Sequence, residues 1–244
     1  MRSLIHKEFS TILSNWAGMI GILTFYVVAN LFLWVFPGSS FLSYGYADPD
    51  LFFNIAAWLL LFILPILTIN FFSDEFKTGT IEILHSLPIH IGYVIGSKYV
   101  AGLLYSLILI VCSGGIIWVL EDIGGNTPID MWAMLGSYLG IFLLSSCYIA
   151  IALFASVLTE EVAISFIVAI ILGFVFYSGF SFLADLPIWS EQISFFIRDL
   201  GFYERAIELS KGLLPLSTIL YLCTITTTFL IGTYYLLTHK LKAL

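Results

Sequence analysis

The sequence predicts an all-α polytopic membrane protein with six transmembrane helices, built as one permease-sized unit over residues 1–244. Two observations carry that prediction. Hydrophobic residues make up 60% of the chain and charged residues only 10%, with a mean hydropathy of +1.05. A soluble domain carries roughly 25% charged residues. The apolar residues also fall into six runs, each long enough for the roughly 20 residues that a helix needs to cross a bilayer.

The elements follow in order. Residues 2–14 contain Arg2, His6, Lys7 and Glu8, with Leu4, Ile5, Phe9, Ile12 and Leu13 along one side. That pattern predicts an amphipathic helix resting in the membrane interface. It is no cleavable signal, because a full-length apolar run follows without a small-residue cleavage pattern. Span 1 is 16–36, closed by Pro37-Gly38. Span 2 is 51–72, with a kink expected at Pro65. A polar stretch, 73–98, separates it from span 3, 99–120. A loop with two glycines leads to span 4, 131–158, which is longer than a crossing needs and should tilt. Thr159-Glu-Glu161 turns the chain into span 5, 162–184, and span 6 is 216–237 before a short basic tail.

Residues 185–215 are polar but patterned. Ser190 can start a helix with Ile193, Phe196 and Ile197 on one face, ending near Gly201. A second runs from Phe202 to Lys211, with Gly212 as its stop. Two short helices between spans 5 and 6 suggest a lid on the outer face.

Six spans place both termini on one side. That side carries six Lys and Arg residues (Arg2, Lys7, Lys77, Lys98, Lys240, Lys242), against Arg198, Arg205 and Lys211 on the other. The excess assigns the termini to the cytoplasm. The acidic residues divide six inside and ten outside, so the net charge of −7 belongs to the outer side. No basic stripe exists to neutralise phosphates, which excludes nucleic acid as a partner. Cys112, Cys147 and Cys223 lie in apolar runs without metal-ligand spacing and read as small buried hydrophobes.

Between spans 2 and 3, Thr78 or Thr80 can cap a short helix whose face carries Ile81, Leu84 and Leu87. Glu82 favours its positive end, and Pro88 stops it. This element is carried on the ends of two spans, where a partner in the water phase could push it.

The motif Glu75-Phe-Lys-Thr-Gly-Thr-Ile-Glu-Ile-Leu-His-Ser-Leu-Pro88, with Gly96-Ser-Lys98 following, resembles the first cytoplasmic loop of type 2 ABC exporter permeases. The resemblance implies a coupling helix that docks on an ATPase subunit through Glu75, Lys77, Gly79, Thr80, Ile81, Glu82, Leu84, Leu87 and Pro88, with Glu160 and Glu161 as a second contact. Phe76 stands where that family commonly has Arg or Lys. Phe202-Tyr-Glu-Arg-Ala-Ile-Glu-Leu-Ser-Lys-Gly212 is similar to the family's re-entrant segment. A narrower resemblance, through Phe62 to Glu82, Ile129-Asp130, Gly136 to Phe142 and Ala155 to Thr159, is to the gliding-motility-associated (GldF) permeases. Glu160-Glu161 replaces the Asn-Gln pair common there. This resemblance implies a separate ATPase, a membrane-anchored auxiliary protein and the bacterial cytoplasmic (inner) membrane.

No Walker A motif, HExxH or nucleophile elbow is present, so the chain reads as no enzyme, with ATP and Mg expected only in the partner ATPase. Within the boundaries above, the six spans hold no Asp, Glu, Lys, Arg or His. A proton- or ion-coupled carrier usually buries such groups, so the energy source should lie outside the chain. The polar residues Asn54, Thr68 and Asn70 in span 2, and Ser165, Tyr177, Ser178 and Ser181 in span 5, could line a path between two permeases. Interhelical hydrogen bonding is the other reading of these residues. Gly136-x-x-x-Gly140 in span 4 favours a close crossing inside the subunit over dimerisation.

The sequence therefore reads as half of an ABC exporter's transmembrane unit, completed by a second copy or a related membrane subunit. A membrane scaffold that transports nothing and a sodium-coupled carrier are the alternatives.

Overall fold

A computed structural model of the chain describes residues 2–36, 49–81, 90–116, 119 and 130–243, all helix, turn or irregular, with no strand among them. Helix α1 (Arg2–Ser14) is followed by α2 (Trp16–Asn30), which Asn15 caps by accepting from the Ala17 N–H at 3.3 Å. A π turn, Leu31–Val35, extends α2 across the membrane thickness. Helix α3 (Pro49–Thr68) leads through Ile69 into α4 (Asn70–Lys77). The Ile69 N–H still donates to the Pro65 carbonyl at 2.9 Å, so α3 and α4 form one long element of 29 residues.

Helix α5 (Ile91–Cys112) is capped by His90, whose Nδ1 accepts from the Gly92 N–H at 3.1 Å. Helix α6 (Met131–Leu158) is capped by Asp130, which accepts from the Trp132 and Ala133 N–H groups. Helix α7 (Val162–Phe174) passes through a π turn, Val175–Gly179, into α8 (Phe180–Ala184). The outer segment holds α9 (Glu191–Asp199) and α10 (Phe202–Ser210), and α11 (Leu216–Ala243) completes the chain.

Six helical elements are long and apolar enough to cross a membrane. Helix α6 is the central one and packs against α3, α4, α5, α7, α10 and α11. The apolar windows of the α3–α4 element and α6 are 67% and 72% buried, while those of α2, α7 and α11 are only 22–28% buried. The latter three form the perimeter, where their exposed apolar side chains suit lipid.

The α6 glycines explain how the outer segment seats. A Cβ built on Gly136 would lie 2.3 Å from the Gly212 carbonyl oxygen, and one on Gly140 would lie 2.7 Å from Leu209 Cβ. Both glycines are therefore consumed inside the subunit, as the sequence favoured. Ser137 Oγ donates to the Ser210 carbonyl at 2.7 Å across the same contact. Gly212 adopts φ +74°, the left-handed stop expected after α10. Arg205, nearly buried, donates to the Asp199 carboxylate and carbonyl at 3.1 Å and to Thr218 Oγ1 at 3.2 Å, and lies 4.2 Å from the Tyr221 ring centre. It ties α9, α10 and the start of α11 together. Arg198 pairs with Asp185 and, at 3.9 Å, with Glu204.

Several expectations need correction. Span 2 does not end at 72; its helix continues to Lys77. Span 3 does not begin at 99 but at Ile91, so Lys98 stands in the second turn of a spanning helix. The residues assigned to a long loop, 73–98, lie largely on two helices. Span 6 and the tail beyond 237 are one helix to Ala243. Helix α1 forms over Arg2–Ser14 as expected, and it packs along α5 with Glu8 turned inward.

Gly212 and Gly115 give a direct comparison. A Cβ at Gly212 would lie 2.1 Å from the Ala133 carbonyl oxygen, whereas one at Gly115 would meet nothing within 4 Å. Left-handed strain costs a non-glycine residue roughly 1–3 kcal/mol, and the clash adds to it. Gly212→Val should lower the thermal unfolding midpoint of the purified protein by several degrees. Gly115→Ala should leave it unchanged.

Candidate functional site

The end of the bundle that holds both termini carries most of the residues singled out for coupling. Helix α4 brings Glu75, Phe76 and Lys77 there, and stops because Thr78 folds back: its N–H and Oγ1 both bond the Asp74 carbonyl, at 2.9 and 2.7 Å. Gly79 follows with φ +70° and nothing within 4 Å of a Cβ built on it. Thr78 thus closes a helix rather than opening one. Thr80 Oγ1 reaches Thr78 Oγ1 at 3.0 Å. Ile81 is 3% exposed and belongs to the protein's own core. It is not part of a face offered to a partner, which corrects the expected Ile81, Leu84 and Leu87 stripe. Glu82, Leu84, Leu87 and Pro88 lie outside the described residues.

Lys98 is the feature that the sequence concealed. It is 1% exposed. Its ammonium donates to the Phe71 carbonyl and to Glu75 Oε1, both at 2.7 Å, and lies 3.5 Å from Glu8 Oε2. The rings of Phe71 and Phe72 flank it at 5.3 and 5.0 Å. An unpaired buried ammonium is costly, and pairing with a hydrogen-bonded carboxylate offsets that cost. One cation here serves two carboxylates from two different helices. Glu8 has a second neighbour, Lys7 at 3.7 Å, but that side chain is 63% exposed. Glu75 Oε2 is buried without a partner.

The expectation that no ionisable group enters the spans is therefore overturned at Lys98. The signals were present. Val94, Lys98, Ala101 and Tyr105 follow one helical stripe once the helix starts at 91, and Glu8 sits between Leu4 and Ile12 on the apolar side of α1. Beside the lysine lies a cavity of about 470 Å³, walled by Glu8, Ile12, Ala17, Asn70, Glu75 and neighbouring residues.

A second joint ties α4 to the turn after α6. Ser73 Oγ contacts Ser165 Oγ at 3.0 Å and donates to the Ser156 carbonyl at 3.1 Å, and Thr159 Oγ1 meets Ser165 Oγ. The turn presents Glu160 and Glu161, both exposed. Lys240 of α11 sits 4.6 Å over the Phe76 ring. A cation from the far end of the chain thus reaches the position where the resembled family commonly has a basic residue.

The residues expected along a translocation path do not meet in one place. Thr68 Oγ1 bonds the Leu64 carbonyl within its own helix at 2.8 Å. Ser165 belongs to the serine joint, and of the set only Asn70 lines the cavity beside Lys98. Toward the other end, Asn54 Nδ2 donates to the Asp50 carbonyl at 3.0 Å and reaches Ser210 Oγ at 3.4 Å. Tyr177 is buried against Trp58 and Tyr203. Ser178 is buried beside it, and Ser181 Oγ is buried without a partner. Of these groups, Asn54 and Ser165 make hydrogen bonds to other helices.

The family described as "ABC-2 family transporter protein" matches residues 11–176. The match runs from the end of α1 into the π turn after α7 and includes α4, Lys98 and Glu160-Glu161. No curated protein matches the chain.

Removing one partner of a buried ion pair costs roughly 3–5 kcal/mol, because the other charge is left uncompensated. Lys98→Met should therefore destabilise the purified protein strongly in a denaturant or thermal titration. The double variant Lys98→Met/Glu75→Gln should recover part of that loss. Glu8→Gln alone should cost less than Lys98→Met, since Glu8 is the more distant partner.

Proposed function

Because the chain belongs to the ABC-2 transporter family and is a transmembrane permease of an ABC transporter, we propose that it forms half of an ATP-driven exporter. In this reading a separate cytoplasmic ATPase binds ATP and Mg and docks on the end of the bundle that carries α4 and the 159–161 turn. A second copy, or a related membrane subunit, completes the transmembrane unit. Closed two-fold symmetry is the common arrangement for such pairs.

The observation that carries the reading is the family match across both polar turns at that end of the bundle. Physical features support it. Helix α4 extends span 2 beyond the apolar run and is tied to α5 and α1 through Lys98, and to α6 and α7 through Ser73. A push on the chain after Thr80 would thus reach spans 2, 3, 4 and 5 through hydrogen-bonded joints. Lys98 does not revive the ion-coupled carrier, because it stands about 10 Å from the start of α5 at 1.5 Å per residue. That is well short of the middle of the 26-residue span, and its charge is already paired.

The finer proposals rest on the sequence. The lysine and arginine excess supports cytoplasmic termini in a bacterial inner membrane. The narrower resemblance supports a transporter of the gliding-motility-associated type with a membrane-anchored auxiliary protein.

With Ile81 committed to the core, the docking face reduces to Leu84 and Leu87. Burying a leucine contributes roughly 1.5–3 kcal/mol, and a carboxylate forced into the same groove adds a further cost. Leu84→Asp should lower ATPase recovery in a pull-down at least a hundredfold, each ~1.4 kcal/mol being tenfold. Glu82→Gln should have a smaller effect, as an edge charge contributes little. Equal recovery with both variants and the wild type, at matched membrane levels, would refute the docking role.

Orientation is tested separately. A single cysteine placed at Glu204 should react with an impermeant maleimide in intact cells, and one at Thr78 should react only after permeabilisation.

A further inference from the structure

We propose that the cavity between α1, α2 and α4 binds the headgroup of a phospholipid carrying a primary ammonium, as phosphatidylethanolamine does. Three observations lead there. The first is shape. The cavity holds about 470 Å³, within the roughly 300–1,000 Å³ of small-molecule sites.

The second is depth. Its wall includes Asn15, Ala17 and Gly18 at the start of span 1. Trp16, between them, is 79% exposed, and Met19 and Ile20 continue an exposed apolar surface along α2. An exposed tryptophan at a span end marks the headgroup level. The cavity thus lies at the level where the lipid-facing side of α2 begins.

The third is charge. The lining carries both signs, Lys7 and Lys98 against Glu8, Asp74 and Glu75. The buried Lys98 is already engaged by Glu75 Oε1 and the Phe71 carbonyl. The buried Glu75 Oε2 has no partner, and one negative charge is left over in the set. An ammonium with N–H donors satisfies that oxygen, and the zwitterionic headgroup adds no net charge to the set. Lys7, whose side chain is 63% exposed, stands at the mouth, where it can meet a phosphate.

A choline headgroup has no N–H to donate. A glycerol headgroup brings a net negative charge to a lining that already has one in excess. The chemistry therefore selects phosphatidylethanolamine over phosphatidylcholine and phosphatidylglycerol. This inference needs only that Trp16 lies at a bilayer surface, so it stands or falls apart from ATPase docking, and the pull-down above is unaffected by its failure.

The test is native mass spectrometry of the full chain released from nanodiscs of equimolar phosphatidylethanolamine, phosphatidylcholine and phosphatidylglycerol. Wild type should retain phosphatidylethanolamine at least fivefold over either competitor. Ala17→Phe, which fills the cavity without touching the ion pairs, should abolish the preference. Asp74→Asn, at an exposed position, should at least halve it and serves if the phenylalanine variant fails to assemble. Millimolar O-phosphoethanolamine should not displace the bound lipid. Equal retention of the three lipids by wild type would overturn the proposal. So would a preference unchanged in the variants, or complete displacement by the soluble headgroup, which would make the ligand a free aminoalkyl phosphate.

Discussion

One buried ammonium holds together the end of the bundle where the chain's polar turns gather. Lys98 is almost wholly buried, so its position in α5 dictates what surrounds it. A carboxylate must come to it from α4, the Phe71 carbonyl must accept from it, and α1 must lie close enough to offer Glu8. These demands explain why α4 continues helically past the apolar part of span 2 instead of leaving as a loop. They also explain why α1 packs along α5 with an acid on its inner side. Remove the lysine charge and three elements lose the reason for their mutual placement.

The opposite end is organised first by steric fit. Helix α6 offers Gly136 and Gly140, and α10 with Gly212 comes down onto them at backbone contact. Arg205 then pins α10 to the end of α9 and the start of α11. The two ends differ in what they tolerate. Glycine packing is rigid and accepts no added atom, while a lysine shared between two carboxylates can shift its weight from one partner to the other. Were the permease driven from the α4 end, as proposed, its adjustable joint would stand where the push arrives.

Much of this was legible in the sequence because the bilayer imposes a simple rule of length and hydropathy, which gave six spans and the N-terminal helix. The outer helices were also legible, since Ser190, Gly201 and Gly212 are strong local punctuation and the chain obeys it. The inner ends of spans 2 and 3 were not. Asp74, Glu75, Lys77 and Lys98 read as solvated loop when each charge is counted alone. Two of them neutralise each other at 2.7 Å and become part of helical elements. Charge pairing between residues 23 positions apart leaves no local trace. The stretch from Glu75 to Pro88 was recognisable as a resemblance to a coupling loop, but its geometry was not. Ile81 matched the apolar stripe and turned out to serve the protein's own core. Asn54, Thr68 and Ser165 looked like path residues because polarity inside a span draws attention, whereas Thr68 bonds a carbonyl of its own helix and Asn54 and Ser165 reach serines of other helices.

The central claim is that an ATPase acts on this permease at the α4 end. A photo-crosslinking amino acid placed at Thr80, an exposed position beside Gly79, tests it in native membranes, with the same group at Glu204 as the control from the other end. An ultraviolet-dependent adduct from position 80 should contain a nucleotide-binding ATPase subunit, and position 204 should give no such adduct. An adduct with the ATPase from position 204, or none from position 80 in membranes where the ATPase is present, would contradict the claim.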